Sequence, residues 1–368
     1  MQFKTKTKEI IKALAIVNGA VEKRNTIPIL QNIKILVEDN KLSLFATDMD
    51  IMINSTINCK SIVNGSTTIP AQIFFDIIRK IPDDIEINAK QENDKILTIE
   101  YNDAKYNLPC IATSEFPNLE EGNIEEEIEV NGKDLAKMID KTRFAISNDE
   151  TRYYLNGLYL HIQKNDGKSR LCSVATDGHR LALSFIEFNK FKNPFGIILP
   201  KKSVNEIRKI IDGVENVKIA ISSVKIKVTA NNNIMISKLI DGEFPDYSKI
   251  LPKNNDKIIT INKKKFFECV DRVSTVANDK HKSIKLTIEN NKIDFEVSTN
   301  DGSFAHEVLF IEYQGEKIVT GFNSLYLKDV IAQIDNENLI MKIKDGNLPA
   351  LVEPEGKDCE FVVMPIRI

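Results

Sequence analysis

The stretch Val174–Leu181, read as VATDGHRL, decides how this chain folds, because relatives of it occur twice more. Phe45–Asp50 reads FATDMD and Val297–Gly302 reads VSTNDG. The Thr-Asp pairs begin at Thr47 and Thr176 and a Thr-Asn pair begins at Thr299, separations of 129 and 123 residues in a chain of 368. The flanks repeat as well. Thr67–Ile81 (TTIPAQIFFDIIRKI), Phe195–Ile211 (FGIILPKKSVNEIRKII) and Lys317–Ile334 (KIVTGFNSLYLKDVIAQI) each hold a short apolar strand, a break and an amphipathic helix. The breaks start at Ile69-Pro70, Leu199-Pro200 and Thr320-Gly321. A period of this length is too long for a solenoid module and suits a small domain present three times.

Working outward, each repeat reads as two helices and about eight short strands. The spacing predicts helices from Lys8 onward (capped by Thr5 or Thr7), from Pro70 or Ala71 to Lys80, from Gly132 to Phe144, from Pro200 to Ile211, around Phe266–Val273, and over Ser324–Ile334. Polar linkers at 120–127 and 251–256 set domains of 1–124, 125–252 and 253–368. The fold class is α+β: three tandem domains, each with two helices packed on antiparallel sheets. Similar linkers repeat one geometric step, so the array should curve. Exposed strand edges at its ends are a liability unless paired. Two chains joined end to end by those edges give a closed object.

The net charge of −3 argues against a protein coated in DNA-binding surface. A sum over the chain can still hide a basic inner face balanced by an acidic outer one. Cysteines at 59, 110, 172, 269 and 359 are too scattered for a metal motif or disulfide framework, which points to a reduced, intracellular chain. The N-terminus is polar and lysine-rich, without the apolar core of a signal peptide, and no run is long enough for a membrane span.

Three function classes fit these features. Asp177 and His179 are the most enzyme-like pair, the centre of a hydrolase or transferase. A catalytic histidine needs an orienter and a nucleophile or water, and no second component stands at known spacing. No Walker or Rossmann glycine pattern and no metal-ligand histidine pair is present, so no cofactor is expected. The plainer reading makes Asp177 and Gly178 a tight turn with His179 and Arg180 beside a surface. A second class is a triplicated structural adaptor without DNA. A third takes its cue from the helices, which carry Lys12, Arg24, Lys141, Arg143, Lys264 and Arg272 in first-helix segments and Lys201 and Lys202 in second-helix segments. A basic concave side of that kind holds duplex backbone without reading bases. The C-terminus, FVVMPIRI, is apolar to its last position. Pro365 stops a ladder, leaving Met364, Pro365, Ile366 and Ile368 beside the strand as a groove suited to adaptable peptide binding.

RYYLNG at Arg152–Gly157, ATDGHRLA at Ala175–Ala182, GEFPDYSKILP at Gly242–Pro252 and VVMPIR at Val362–Arg367 stand in one order along the chain. In these segments the chain resembles the bacterial DNA polymerase III beta subunit, the sliding clamp, over essentially its whole length. The resemblance implies a non-catalytic, ring-forming head-to-tail homodimer in the bacterial cytoplasm. Six like domains encircle duplex DNA, with helices lining the hole, and tether the replicative polymerase. It also implies a clamp loader that opens the ring, and partners (the polymerase III catalytic subunit, other replication and repair polymerases, a ligase) that dock linear motifs in a cleft. No membrane is involved. Carried over residue by residue, the cleft takes Leu155, Thr176, Gly178, His179, Arg180, Leu181, Pro245, Lys249, Ile250, Val362, Met364, Pro365, Ile366, Arg367 and Ile368, with Tyr153 and Tyr154 behind it. DNA-facing positions are Arg24 first, then Lys12, Lys141, Arg143, Lys201, Lys202, Lys264 and Arg272, in loose, watery contact. The dimer interface takes Tyr106 and Leu108 against Thr275 and Val276.

The chain departs from the family pattern in places. Lys249 stands where arginine is common, so a bidentate contact becomes a point charge. Ile368 stands where leucine is often found. Thr275 and Val276 replace bulkier aliphatics, which implies a looser dimer.

Overall fold

The computed structural model describes residues 1–22, 27–165, 167–277, 282–356 and 358–367. Six α-helices occur among them: α1 (Thr7–Val17), α2 (Ala71–Lys80), α3 (Gly132–Thr142), α4 (Lys201–Ile210), α5 (Lys263–Ser274) and α6 (Ser324–Ala332). Each repeat runs strand, helix, four strands, helix, three strands, with one extra short strand, Lys60–Val63, in the first. A repeat is therefore itself two copies of a strand–helix–strands half.

Local chemistry explains the helix starts. Asn262 Oδ1 accepts from Lys265 N (3.1 Å), Asn323 Oδ1 from Leu325 N (2.9 Å), and Asn131 Oδ1 from Lys133 N (3.0 Å), each satisfying a first-turn donor. The expected threonine cap of α1 is corrected: no side chain caps it, and the Thr7 hydroxyl donates instead to the Pro82 carbonyl (3.0 Å).

The strands form four antiparallel sheets. A five-stranded sheet runs Lys60–Val63, Gln2–Lys6, Glu86–Asn93, Ile96–Tyr101, Ala104–Pro109. An eight-stranded sheet runs Glu126–Asn131, Asn216–Ile221, Lys225–Ala230, Asn233–Lys238, Ile51–Asn58, Lys41–Thr47, Asn32–Glu38, Gly65–Pro70. The second eight-stranded sheet runs Gly196–Pro200, Gly157–Asn165, Lys168–Thr176, Arg180–Glu187, Cys359–Val363, Ala350–Pro354, Asn338–Ile343, Lys257–Asn262. A four-stranded sheet runs Phe304–Phe310, Lys292–Ser298, Ser283–Glu289, Ile318–Asn323. Alternation drives the pairing: in Ser283–Glu289, Ile284, Leu286 and Ile288 are fully buried between half-exposed neighbours.

Both eight-stranded sheets are shared between repeats. The final strand of the second repeat, Asn233–Lys238, pairs with Ile51–Asn58, which follows the Thr47 turn. The final strand of the third, Cys359–Val363, pairs with Arg180–Glu187, which follows the Thr176 turn. The backbone accordingly groups into two compact units, one built mainly of 1–136 and 202–239, the other mainly of 137–189 and 240–368. The division runs through the second repeat because ladders cross the repeat boundaries unbroken. Two strands of the same kind stay at sheet edges: Ala104–Pro109, which ends the first repeat, and Phe304–Phe310, which follows the Thr299 turn. No helix among the described residues is long and apolar enough to cross a membrane.

Candidate functional site

The repeated motif is a turn. Thr47 Oγ1 donates to Ile51 O (2.8 Å), Thr176 Oγ1 to Arg180 O (2.6 Å), and Thr299 Oγ1 to Ser303 O (3.1 Å), each four residues on. Asp48 Oδ1 accepts from the amides of Asp50 and Ile51. Asp177 Oδ1 accepts in the same way from His179 N (2.9 Å) and Arg180 N (3.0 Å). Gly178 sits at φ +88°, a left-handed conformation that glycine adopts without strain, and the equivalent Met49 of the first turn sits at φ +78°. The second Asp177 oxygen accepts from Arg180 Nε (3.0 Å). Asp177 is thus committed to holding the turn and is not free to orient His179 as a catalytic base.

Arg180, expected to line the cleft, is half-buried. Its side chain is 10% exposed. The guanidinium is held by Asp177, by Asp329 of α6 and by the Phe144 carbonyl (2.9 Å), and it lies over the Tyr326 ring at 4.5 Å. Arg180 therefore acts as a bracket between the turn and α6. Tyr326, which sequence reasoning missed, also stacks under His179 (6.1 Å between centroids, 19° between planes).

The C-terminal segment is tied to the same turn. After the ladder ends at Val363, Met364 N donates to His179 O (2.9 Å) and Ile366 N to Gly321 O (2.8 Å). Of the expected lining residues, Leu155, Leu181 and Val362 are buried in one apolar cluster with Phe244 and Tyr247, and Thr176 is buried in the turn. The more open surface comes from Gly178, His179, Lys249, Ile250 and Arg367, which are exposed, and from Pro245, Met364, Pro365 and Ile366, which are half-buried. Ile368 lies outside the described residues.

The loop carrying Pro245, Lys249 and Ile250 is anchored from beneath. Tyr247 is buried, with its hydroxyl 3.0 Å from His161 Nε2. Phe244 stacks on Tyr159 (4.9 Å, 6°), and Tyr159 stacks on His161 (4.6 Å). Burial holds the His161 imidazole below its ordinary pKa and pushes the neighbouring Cys172 thiol up to about 12. Tyr154 packs against this cluster, and Tyr153, 54% exposed, packs edge-on against Tyr154 (5.8 Å between centroids). The Lys249 ammonium is exposed and pairs with Asp246 (3.1 Å).

The basic residues divide sharply. Lys12 on α1 and Lys264 on α5 are exposed. Arg143 pairs with Asp140 (2.9 Å), Lys201 donates to Asn148 Oδ1 (2.6 Å), and Lys202 is held by Asp48. Two others are held by carboxylates distant in sequence. Lys141 is 6% exposed and is bound to Asp335 and the Gln333 carbonyl, so its charge is already matched inside the protein. Arg272 makes a bidentate pair with Glu307 (2.8 Å and 2.8 Å), which ties it to the edge strand Phe304–Phe310. Arg24 lies outside the described residues.

At the open edges, Tyr106 is 36% exposed and stacks on Tyr101 (6.2 Å). Leu108, on the same face of the strand as Tyr106, is 3% exposed in the single chain. Thr275 is exposed and Val276 half-buried. Sequence reasoning missed the strand Phe304–Phe310 altogether. It leaves Phe304 61%, Val308 38% and Phe310 81% exposed. The signal that reveals it is the repeat itself: a strand follows each of the other two turns.

Comparison with known proteins covers nearly the whole chain. Family models of the DNA polymerase III beta subunit match at residues 1–120 (N-terminal domain), 129–246 (central domain) and 248–367 (C-terminal domain). The beta sliding clamp of Caulobacter vibrioides is 38% identical over 363 residues, 98% of each chain. That of Haemophilus influenzae is 33% identical over 371 residues, 100% of each chain. Among solved structures, the Caulobacter crescentus beta sliding clamp superposes with a TM-score of 0.95 at 37% identity, covering all of both chains. A Bartonella birtlesii sliding clamp bound to griselimycin gives a TM-score of 0.95 at 34% identity, again over the full length of both.

Proposed function

The chain belongs to the bacterial DNA polymerase III beta subunit family, and from that premise we propose that two copies close head to tail into a ring around duplex DNA. It is a DNA polymerase processivity clamp, a non-catalytic subunit. The domains of the ring are 1–124, 125–252 and 253–368, three from each copy, and the ring works in the bacterial cytoplasm. A loader protein opens it.

One observation carries this reading. Twice within the chain, a repeat's final strand pairs antiparallel with the post-turn strand of the preceding repeat. Only one strand of each kind is left over, Ala104–Pro109 and Phe304–Phe310. Pairing these between two copies applies the same rule a third time. Because the leftover strands differ, the contact is head to tail, and a closed pair leaves none unmatched. Tyr106, Thr275 and Val276 then lie beside Phe304 and Phe310 at the junction.

DNA contacts fall to the exposed cations Lys12 and Lys264, the latter 4.0 Å from Glu268, with weaker contributions from Arg143, Lys201 and Lys202, and with Arg24 on sequence grounds alone. The polymerase and other partners dock linear peptides on the surface framed by His179, Tyr326, Met364, Pro365, Ile366 and Ile250.

The test combines mass and topology. Light scattering should give twice the 41.7 kDa chain. Protein loaded on nicked circular DNA should be retained through gel filtration and released when the circle is cut. Retention on linear and circular DNA alike would replace encirclement with ordinary binding.

A further inference from the structure

We infer that the peptide cleft continues into a basic annex that receives an acidic segment flanking the docked anchor. The inference rests on the cleft reading above and adds the chemistry of what lies beside the anchor. Next to Ile250, and sharing Lys249 and Ile250 with the cleft, is a depression of about 410 Å³. One wall is the chain leaving the docking loop, with Lys253. The other is the turn after Asn338–Ile343, with Lys344 and Leu348. Asn255 Nδ2 donates to both Lys342 O (2.8 Å) and Pro349 O (2.9 Å), which fixes the two walls to each other. The depression is therefore a built feature, not a gap between loose loops.

Its lining contains three lysines and no carboxylate. Neither Lys253 nor Lys344 pairs with a carboxylate among the described residues, and both are exposed. The nearby acids Asp246 and Asp345 already have partners, one of them the lining residue Lys249. Asp246 accepts from Ser248 N and Oγ and pairs with Lys249, and Asp345 Oδ1 accepts from Asn347 N and Leu348 N. Between the ammonium groups, Ile250 and Leu348 are 38% and 41% exposed. An aliphatic strip edged by unmatched cations is complementary to a peptide that mixes apolar residues with Asp or Glu. Exposed charges of this kind set register and association rate more than raw affinity.

The test uses the full-length protein and two fluorescent synthetic peptides. They share one aliphatic-aromatic anchor and carry either Ser-Gly-Ser or Glu-Asp-Glu on both flanks. The acidic peptide should bind the wild type about fivefold tighter at low salt, with the gap closing as salt is raised. Lys253→Glu with Lys344→Glu should erase that advantage and leave the neutral peptide unchanged. Equal affinity of the two peptides for the wild type, or equal loss of both in the double variant, overturns the annex. Failure of both peptides to bind the wild type, or indifference of both to Met364→Ala, brings down the cleft reading itself.

Discussion

Arg180–Glu187 and Phe304–Phe310 are the same piece of the repeat in two environments. Both follow a threonine turn closed by a hydroxyl-to-carbonyl bond four residues on. The first is mated from Arg180 against Val363 to Ser184 against Cys359, and Leu181 and Leu183 are 1% and 5% exposed. The second has a free edge, yet it keeps Phe304, Val308 and Phe310 facing outward. Solitary edges are usually blunted with charge, proline or a bulge. An edge that stays aromatic fits a strand whose mate comes from another copy. The turn ends differ to match: Arg180 brackets the mated strand to α6, while Ser303 holds the corresponding place at the open one.

Breaking the mated seam should have the largest effect. Phe361 is fully buried, paired across to Ala182 and packed 6.0 Å from Phe144. Phe361→Ala should cost about 3–5 kcal/mol, read from the urea midpoint. A loss below about 1 kcal/mol would mean the seam is not a continuous core. Next in size is Arg180→Met, which leaves Asp177 and Asp329 without their cation. Because Asp329 is 48% exposed, water covers part of that loss, and we expect about 2 kcal/mol. The same midpoint reads it, and a change near zero would reduce the bracket to a surface contact.

At the open edge the expected sign of the contrast reverses. Phe310→Asp should leave the unfolding of a single chain within about 0.5 kcal/mol of wild type, because the ring is already in water. In light scattering it should drop the mass from two chains to one. If stability falls and mass does not, Phe310 belongs to its own chain's core and the proposed closure is wrong.

Much of this contrast was legible beforehand. The triplication, the six helices and most strands follow from period and alternation, and several strands, among them Ile51–Asn58 and Lys292–Ser298, start and stop where alternation does. Phe304–Phe310 was hidden because its apolar residues face solvent, so alternation gives no inward stripe and only the repeat locates it. At the site, sequence does not say which side chains are open. Leu155, Leu181, Val362 and Leu108 are apolar residues whose inward or outward direction depends on sheet pairing, a long-range property. Lys141 and Arg272 look like free cations in sequence, and their acids, Asp335 and Glu307, lie 194 and 35 residues away.

The Arg272–Glu307 pair supplies the smallest and finest test of the contrast. Glu307 lies in the open strand, but on the face of Ala305 and Leu309, turned toward the chain's own core and away from Phe304 and Phe310. The hydrogen bonds from Arg272 hold its carboxyl below the usual 4.5. A carboxyl with a depressed folded pKa adds stability that is present in full above its unfolded value and is lost as pH falls through the folded one. Glu307→Gln should therefore lower the urea midpoint slightly at pH 7, and the gap from wild type should shrink as pH drops below about 4.5. Light scattering at pH 7 should show both proteins at the same mass, because the substituted face does not meet the second copy. If the mass changes and the midpoint does not, both sides of this strand serve the junction, and its division into an inner face and a mating edge has to be redrawn.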